Sequence, residues 1–550
     1  MSSLRVSLNR AFATLVVMGL LLAALPLSTA WAVAPDQFSG VVFEDLNQNL
    51  VRDAGEPGIP GVAVSNGKEV VQTDAQGNYS LPRYDEMVVF VTKPAGYAVP
   101  LNRYNVPQFY YIHRPKGSPD AIKEYPGIQP TGELPASVDF PLFKAQASDT
   151  FKAIIMGDTQ VTDHIEIGYL RDTVIAELGN TDAAFALAMG DNVNDVLSLY
   201  DRYLTTMSGM GVPTYYVPGN HDGNYDAPED KYQFETFTRY FGPTYYSFDY
   251  GKVHFVVLDT VYWDGRKYHG EIDAQQMEWL KNDLALVPAD HLIVLNMHIP
   301  IVSWIDRLTE DGRHMVANRD QLYALLEGRK ALALGGHTHT LENFLPGEEE
   351  EGWKGATPIP QIIVGAACGS WWSGDKDEHG LPHSYQRDAA PRGYMIFEFD
   401  GNNYSTQYKA TGKPLSEQMN ISFKSRRGQY LPGGLLSDLP EGILTRSELS
   451  STMVVANVWN GSKASVVECQ VDDGAPVAAQ KNNNIADPYV SRLQSQLEDW
   501  LQTKSSTHIW TCPLPAQLEP GLHQLTVRTT DGYGHSYVGV KMFEVWATGQ

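Results

Sequence analysis

The pattern of apolar and polar positions changes twice along the chain. Over residues 36–145, short apolar runs such as 40–43 and 87–92 are separated by Gly, Pro, Asn and Asp, which is typical of β-strands. From Phe151 to about residue 408, apolar runs alternate with helical patterns, which predicts an α/β region. Beyond about residue 415, short strand-like apolar runs return. We therefore predict an amino-terminal β-sandwich at 36–145, an α/β domain at 148–408 and a β-rich domain at 415–550.

Two segments of the middle region have the apolar spacing of helices. The segment 163–178 is followed by Gly179, which favours a helix end. The segment 273–286 shows a similar pattern, and Asp273 at its start is a favourable capping residue. We expect one helix over each segment.

The first residues predict an export signal. Arg5 and Arg10 precede an apolar run over residues 11–27, and Ala30, Trp31 and Ala32 follow. We expect a signal peptide at 1–32 with cleavage after Ala32. An uncleaved anchor is the alternative, but the run contains a glycine and a proline and falls short of the roughly 20 apolar residues that a span needs. The mature chain, with no further transmembrane span, is expected to be periplasmic or secreted.

Composition narrows the class of protein further. With only three cysteines, the large domains must be held by apolar cores rather than by a disulfide framework. Cys469 and Cys512 form either a disulfide or two free buried thiols, and Cys368 then remains unpaired. The formal charge of -24 opposes a nucleic-acid polymer as partner, because such binding depends on a basic surface that releases counterions.

Successive apolar runs of the middle region each end at a residue type that binds metals. Because ligands gather beyond the carboxyl ends of the strands in an open α/β sheet, these side chains are expected to converge. The residues that follow the five runs are Asp158 and Gln160; Asp191; Asn220, His221 and Asp222; His298; and His337 and His339.

The donor types indicate a hard or borderline divalent cation. Carboxylate, amide oxygen and imidazole donors, with no thiolate, favour Mn, Fe, Zn, Mg or Ca over copper(I) or iron–sulfur clusters. Two ions that share a bridging carboxylate account for the number of donors. Such a pair polarises a phosphoryl group and lowers the pKa of bound water to about neutral.

The order of these motifs resembles the calcineurin-like metallophosphoesterases, in which Asp-x-(His or Gln), Gly-Asp, Gly-Asn-His-Asp, His and Gly-His-x-His follow one another. The resemblance implies a two-sheet αββα sandwich that hydrolyses a phosphomonoester or phosphodiester with a metal-bridged hydroxide as nucleophile. It implies a first ion held by Asp158, Gln160, Asp191 and His339, and a second held by Asp191, Asn220, His298 and His337. It also implies that His221 faces the substrate and that Asp222 orients the His221 ring.

Two positions depart from the family pattern. Gln160 stands where most relatives carry His, and an amide oxygen is a weaker, neutral ligand, so the first ion is expected to bind less tightly or to differ in identity. Asn194 stands where many relatives carry Asp, and Asp195 is a candidate substitute.

Residues that flank the motifs are candidates for substrate binding. Trp371 and Trp372 follow the apolar run 362–364, so they are expected to wall the substrate pocket, with core packing as the alternative. Arg392 is a candidate for a forked contact with phosphate, with pairing to a nearby acid as the alternative. His254 lies within a predicted strand, and we interpret it as a hydrogen-bonded core residue.

The outer domains resemble those of the bacterial branch of this family that carries extra β-domains. Oxygen side chains alternate in the first one as in the calcium loops of surface-protein B-type repeats, which are immunoglobulin-like. Because Leu50 stands where Gly is expected, a metal-free turn is the alternative to calcium. The candidate calcium ligands are Asp45, Asn47, Asn49 and Asp53.

One other function class is consistent with these features. The paired β-domains and Gln160 also suit a cell-envelope protein that binds glycan or mediates adhesion and carries a degenerate phosphoesterase domain. Two bound transition-metal ions distinguish the enzyme from such an adhesin, which needs no central metal pair.

Overall fold

The computed structural model describes residues 36–305, 307, 312–346, 359–424, 442–494 and 501–547. The predicted signal peptide at 1–32 lies outside the described residues. Within the described part of the chain, none of the helices combines the length and the apolar character that a membrane crossing requires.

The amino-terminal part consists of β-strands, as the pattern predicts. Residues 37–144, all of which are described, contain no helix, and their strands form two four-stranded sheets ordered β4-β1-β8-β6 and β3-β2-β5-β7. The strands are β1 (Gln37–Glu44), β2 (Ala63–Ser65), β3 (Val70–Gln72), β4 (Asn78–Pro82), β5 (Met87–Val91), β6 (Tyr97–Ala98), β7 (Tyr110–His113) and β8 (Phe140–Lys144).

The middle region alternates strands and helices. Its strands are β9 (Thr150–Met156), β10 (Phe185–Ala188), β11 (Thr214–Tyr216), β12 (Tyr246–Tyr250), β13 (Val253–Leu258), β14 (Val261–Trp263), β15 (Tyr268–Gly270), β16 (Leu292–Met297), β17 (Ala331–Gly335), β18 (Leu341–Phe344), β19 (Gln361–Val364), β20 (Gly393–Asp400) and β21 (Asn403–Ala410). Its helices are α1 (His164–Leu170), α2 (Ala176–Leu178), α3 (Tyr200–Met207), α4 (Glu235–Phe241), α5 (Ala274–Leu284) and α6 (Arg319–Leu325).

Two sheets form the centre of this mixed α/β fold. One has the order β11-β10-β9-β20-β21 and the other the order β12-β13-β16-β17-β19-β18, while β14 and β15 form a separate hairpin. Aromatic side chains pack between the two sheets: the ring centroids of Phe185 and Phe255 are 5.1 Å apart, and those of Phe151 and Phe255 are 6.3 Å apart. Residues of α1 and α3 pack with the opposite side of β9 and β10, where Ile154 and Ala186 lie.

Both predicted helices are present, and side chains cap them as expected. Asp163 accepts hydrogen bonds from the backbone N–H of Ile165 and Glu166, and the helix then runs through a π-helical turn to Leu178. Asp273 caps α5 in the same way by accepting from Gln275 and Gln276. The capping carboxylates satisfy backbone donors that have no partner within the helix.

The carboxy-terminal part again consists mainly of strands. Its elements are β22 (Met419–Lys424), β23 (Ile443–Thr445), β24 (Met453–Val458), β25 (Val466–Val471), β26 (Val477–Ala478), β27 (Gln480–Lys481), α7 (Pro488–Gln494), β28 (Ile509–Pro513), β29 (Gly521–Thr530) and β30 (Ser536–Trp546). They form sheets ordered β22-β24-β28-β27 and β23-β30-β29-β25-β26. A disulfide between Cys469 and Cys512 joins these sheets, so these two cysteines are bonded and not free thiols. Cys368 is free and buried.

Buried charges connect the amino-terminal strands with the middle region. Arg114, which follows β7, donates through Nε and Nη2 to Oε1 of Glu235 at 3.2 Å, and Ser118 donates to Oε2 at 2.5 Å. Both charged side chains are at least nine-tenths buried.

His254 contacts Asp249 at 2.7 Å and Asp283 at 2.8 Å, which confirms it as a hydrogen-bonded core residue.

Replacing Glu235 by Ala is expected to lower the free energy of unfolding by about 3–5 kcal/mol, because Arg114 remains buried without its carboxylate. The midpoint of urea-induced unfolding measures this loss. Glu133→Ala is the control: Glu133 pairs with Arg83 at 3.4 Å but is 90% exposed, so at most about 1 kcal/mol is expected. Equal shifts for the two variants would contradict the assigned role of the buried pair.

Candidate metal centre

The predicted ligands converge at one edge of the two central sheets. Strands β9, β10 and β11 run parallel in the first sheet, and β13, β16, β17 and β19 run parallel in the second. Their carboxyl ends therefore lie on a common edge in each sheet. The first sheet supplies Asp158, Gln160, Asp191 and Asn220, and the second supplies His298, His337 and His339.

Most of these ligands have an uncommon backbone conformation. Asp158, Gln160, Asp191, His337 and His339 have φ values of 40°, 37°, 48°, 70° and 54°. Side chains other than glycine rarely adopt this left-handed region, and strain of this kind clusters at functional sites. The turns after the strands therefore aim these side chains at the expense of local backbone energy.

Glycines beside the ligands allow close approach of the backbone. Gly190 has a φ of 91°, and a Cβ atom there would lie 2.5 Å from Nδ1 of His298. A Cβ atom on Gly219 would lie 2.0 Å from the backbone nitrogen of Asp191. Any other residue at either position would push two strand ends apart.

The first group of predicted ligands surrounds Asp158. Nε2 of His339 lies 3.5 Å from Oδ1 of Asp158, whose carboxylate also accepts the backbone N–H of His337 at 3.0 Å. Gln160 donates from Nε2 to Oδ2 of Asp191 at 3.3 Å, while its Oε1 lies 4.0 Å from Sγ of Cys368. Binding a cation through Gln160 therefore requires the opposite orientation of its amide.

The second group surrounds Asp191. Nε2 of His298 lies 3.2 Å from Oδ2 of Asp191 and 3.1 Å from Oδ1 of Asn220. One ligand atom each from Asp191, His298 and His337 lies within 4.8 Å of the others, a spacing that suits a shared cation. Since Oδ2 of Asp191 contacts both Gln160 and His298, this carboxylate stands between the two groups.

Hydrogen bonds orient two of the imidazoles toward the carboxylates. Nδ1 of His298 lies 2.9 Å from the carbonyl oxygen of Met189, and Nδ1 of His339 lies 2.6 Å from that of Gly369. Each ring therefore donates through Nδ1 and points its Nε2 atom at the cluster. Metal-binding histidines are commonly fixed by such an outer hydrogen bond.

Burial dominates the electrostatics of the cluster. It raises the pKa of Asp158 to about 8, against the opposing charge of His298, and it lowers the pKa of His339 to about 3. Burial also lowers the pKa of His337 well below its usual range. For Asp191, burial is outweighed by His298 and His221, so its pKa falls. Burial lowers the pKa of His298, but Asp191 and Asp158 raise it to about 9. The cluster thus combines two neutral imidazoles, His337 and His339, with buried carboxylates and a His298 ring whose charged form Asp191 favours.

The cluster fits divalent metal ions on the chemistry of its donors. Buried carboxylate oxygens, an amide oxygen and neutral imidazole nitrogens are the ligand types of Mn, Fe, Zn and Mg. The side chains of Asp158, Asp191, Asn220, His298 and His339 are almost fully buried. A cation there compensates charges that are otherwise costly to bury.

His221 lies beside this cluster, but its ring partner differs from the prediction. Nδ1 of His221 contacts Oδ1 of Asp195 at 2.7 Å, and Nε2 lies 4.0 Å from Oδ2 of Asp191. Burial lowers the pKa of His221, but Asp191 and Asp195 together raise it to about 9. The expectation that Asp222 orients this ring is therefore wrong; Asp195 does so.

Asp222 instead holds the turn that carries the ligands. Its Oδ2 accepts the backbone N–H groups of Gly219 and Asn192 at 3.0 and 3.1 Å, and Tyr200 donates to Oδ1 at 3.0 Å. His221 and Asp222 are consecutive residues of a short 3₁₀ turn, Asn220–Asp222, so their side chains point in different directions. The role of Asp222 is to fix the loops after β10 and β11.

The two tryptophans occupy different environments. The Trp371 ring stacks on His339, with centroids 4.2 Å apart and planes at 25°, so Trp371 lies at the cluster. Trp372 is buried in the core and donates from Nε1 to the carbonyl oxygen of Thr159 at 3.0 Å. The pocket-wall prediction therefore suits Trp371, and core packing describes Trp372.

Arg392 does not present its guanidinium as predicted. Nη1 donates to the backbone carbonyls of Pro382 and His383, the latter at 3.0 Å. The residue is 8% exposed and lines a separate cavity with Glu177 and Asp377. The expected forked contact with phosphate is therefore replaced by hydrogen bonds that hold the preceding loop.

The structure adds residues that the motifs did not reveal. Nδ1 of His314 lies 2.9 Å from Nε2 of His337, and the hydroxyl of Tyr225 lies 2.9 Å from Oδ1 of Asp195. Sγ of Cys368 lies 3.8 Å from Nδ1 of His339. Of these, only Asp195 had a signal in the sequence, through its place within the Gly-Asp block.

The candidate calcium loop is closed by its own hydrogen bonds. Asn47 and Asn49 both donate to Oδ2 of Asp53 at 2.8 Å, and Asp45 accepts the backbone N–H of Leu50 at 2.8 Å. Leu50 has a φ of 67°, which explains why glycine was expected there. The loop brings all four predicted residues together, and calcium binding remains a prediction.

Comparisons with known proteins cover most of the chain. The profile described as "Calcineurin-like phosphoesterase" matches residues 151–341. Profiles described as the "N terminal" and the "C terminal of Calcineurin-like phosphoesterase" match residues 47–124 and 362–537. Every predicted metal ligand lies within the central match.

Two individual proteins are also similar. A "Probable cyclic nucleotide phosphodiesterase" of Psychrobacter arcticus is 30% identical over 161 residues, which are 27% of this chain and 54% of that protein. The chain thus spans about half of the length of this relative. A solved purple acid phosphatase, PPD1 of yellow lupin (Lupinus luteus), aligns over 64% of this chain and 67% of its own with 14% identity and a TM-score of 0.36. On the three profile matches, the chain belongs to the calcineurin-like phosphoesterases.

Proposed function

We propose that the protein is a metal-dependent phosphoesterase that hydrolyses a phosphate ester at the cluster around Asp158 and Asp191. One observation carries the proposal: donors from five strand ends in two sheets meet in a buried cluster. Family membership supports it, because the central profile spans every strand end involved. A degenerate domain in an adhesin has no reason to retain this arrangement.

The arrangement suits two ions that share Asp191. Asp158, Gln160 and His339 would hold one ion, and Asn220, His298 and His337 the other. Oδ2 of Asp191 lies 3.3 Å from Nε2 of Gln160 and 3.2 Å from Nε2 of His298, which places this carboxylate between the two groups. Divalent ions there would supply Lewis acidity to a phosphoryl oxygen and make water nucleophilic near neutral pH.

His221 is proposed to donate a proton to the leaving oxygen or to stabilise charge on the phosphoryl oxygens. Asp195 holds Nδ1, so Nε2 is the atom that faces the cluster. Burial opposes the charged form of this ring, but Asp191 and Asp195 raise its pKa, which favours the protonated form that a proton donor needs. Tyr225, within hydrogen-bond distance of Asp195 and of the carbonyl oxygen of Asn220, fixes this pair against the ligand loop.

Phosphodiesters are the first substrates to assay. The Psychrobacter relative is named as a probable cyclic nucleotide phosphodiesterase, and the similarity to it motivates a diester as substrate class. Phosphomonoesters are the alternative, because the metal ligands act on the phosphoryl group and not on the ester body.

We also propose an αββα sandwich for the central domain, an immunoglobulin-like fold for the amino-terminal domain, and export of the protein from the cytoplasm. The two central sheets with outer helices suit the αββα sandwich, and the two amino-terminal sheets suit an immunoglobulin-like domain with a calcium loop. The disulfide between Cys469 and Cys512 supports export to the periplasm or beyond, where such bonds persist.

The mature protein with Mn²⁺ is expected to release nitrophenol from bis(p-nitrophenyl) phosphate, and a chelator is expected to stop the reaction until Mn²⁺ is restored. His221→Ala is expected to lower kcat by about two to four orders of magnitude, because a proton donor is lost. His291→Ala, at a half-buried histidine beside Asp290, is the matched control. Activity that survives chelation refutes metal dependence, and full turnover in folded, metal-loaded His221→Ala refutes the role of His221.

Asp195→Asn is expected to reduce kcat by about one to two orders of magnitude and to change the pH profile. The imidazolium form of His221 is present below its pKa and is lost as pH rises through it. Removing the Asp195 charge lowers that pKa, so the alkaline limb of kcat is expected to move down by about one to two pH units. Asp201→Asn, which alters another carboxylate with tyrosine partners, should leave the profile unchanged. An unshifted alkaline limb in Asp195→Asn contradicts the assignment.

A further inference from the structure

A groove with basic and aromatic walls adjoins the metal centre. It has a volume of about 470 Å³ and is lined by Tyr225, Trp263, Gly265, Arg266, Lys267, Tyr268 and Arg313. Two of its residues also border the cluster. The Tyr225 hydroxyl lies 2.8 Å from the carbonyl oxygen of Asn220, and the Tyr268 ring centroid lies 6.1 Å from that of His337. These two contacts place the groove beside the proposed metal ligands Asn220 and His337.

Aromatic rings form one wall of this groove. The Tyr225 and Trp263 ring centroids are 5.5 Å apart, and Trp263 is held by a hydrogen bond from Nε1 to the carbonyl oxygen of Ala227 at 3.1 Å. Trp263 is 5% exposed, whereas Tyr225 is 38% exposed. The buried indole thus supports a ring that solvent can reach, which suits stacking against a planar group.

Cations form the other wall. Arg266 and Lys267 are exposed at the tip of the hairpin between β14 and β15, and Arg313 is exposed on the segment before α6. Asp264 accepts the backbone N–H groups of Arg266 and Lys267, both at 2.9 Å, so it shapes the hairpin tip. Among the described residues that line the groove, none is acidic.

This local charge is opposite to that of the whole chain. The formal net charge is -24, so the protein as a whole repels anions, yet three basic side chains gather beside the metal centre. A cleft lined by one sign of charge raises the local concentration of oppositely charged ligands. The basic side chains therefore favour an anionic group in this groove on electrostatic grounds.

We propose that this groove binds the part of the substrate that is not cleaved, and that this part carries a planar ring and a second anionic group, as in nucleotides with two phosphates. The inference rests on the proposed phosphoesterase function. One phosphate lies at the ions, Arg266 and Lys267 contact the second, and the ring packs on Tyr225 and Tyr268. The volume of the groove falls within the usual range of small-molecule sites.

Competition among three inhibitors of bis(p-nitrophenyl) phosphate hydrolysis tests the proposal, at constant free Mn²⁺. Adenosine diphosphate has both the ring and the second phosphate, adenosine monophosphate lacks the second phosphate, and pyrophosphate lacks the ring. Adenosine diphosphate is expected to bind about tenfold more tightly than either of the others, because charge-assisted contacts are strong. Equal inhibition constants for all three compounds overturn the proposal.

A double charge reversal assigns the effect to the groove. Arg266→Glu with Lys267→Glu is expected to weaken adenosine diphosphate by about tenfold or more and adenosine monophosphate by much less. The control, Arg52→Glu with Lys116→Glu, changes the net charge equally on exposed residues of the amino-terminal part. An unchanged preference for the diphosphate in the first variant, or the same loss in the control, overturns the proposal.

Titration calorimetry of the Mn²⁺-loaded protein with the same compounds separates the two hypotheses. If the wild-type protein hydrolyses no ester but retains the preference for the diphosphate, the proposed function fails and the groove assignment stands. If hydrolysis proceeds without that preference, the function stands and the groove assignment fails.

Discussion

The structure depends on the charge balance of a buried cluster of carboxylates and imidazoles. Asp158 and Asp191 are almost fully buried, and the carboxylate of Asp158 is held in a setting that disfavours its ionised form. Burial keeps His337 and His339 neutral, and the charged form of His298 is favoured chiefly by Asp191, which it contacts at 3.2 Å, so the charge of Asp158 is the one least compensated by the protein. Divalent cations at the proposed centre would supply that missing charge, and a metal-binding role would account for the left-handed backbone at five ligand positions.

The rest of the fold serves to hold these strand ends in place. The aromatic layer between the sheets, with Phe151, Phe185 and Phe255, fixes the distance between the edges that supply the ligands. The carboxy-terminal part braces the loop behind His339: His508 contacts Asp388 at 3.0 Å, and Arg387 donates its backbone N–H to the carbonyl oxygen of His339 at 3.0 Å. A cluster whose ligands come from distant segments needs such rigid support.

Much of the site could be predicted from the sequence because strand ends and ligand types are local signals. Buried strands before Asp158, Asp191 and His298 are readable as apolar runs, and parallel pairing then brings their ends together. The sequence indicated Asp195 as a candidate substitute for the family's Asp, but not its contact with His221, which depends on how the Asp195 backbone, with a φ of 66°, packs against the His221 carbonyl oxygen. The family resemblance implied Asp222, whose carboxylate instead accepts hydrogen bonds from Asn192, Gly219 and Tyr200.

Side-chain direction also explains the other differences. Trp371 and Trp372 are neighbours in sequence, yet one stacks on His339 and the other enters the core, and no periodic pattern distinguishes them outside a helix or strand. Arg392 was predicted to bind phosphate because its guanidinium can form a forked contact, but this group donates to two backbone carbonyl oxygens instead. The basic groove was not predicted, since Arg266 and Arg313 lie in separate loops that only the fold brings together.

Anomalous diffraction from crystals of the mature protein saturated with Mn²⁺ tests the central claim most directly. The account predicts two anomalous peaks about 3.5–4 Å apart, with Asp191 in contact with both. Asp158, Gln160 and His339 should complete one site, and Asn220, His298 and His337 the other. A map of metal-saturated protein without anomalous density among these residues would contradict the account.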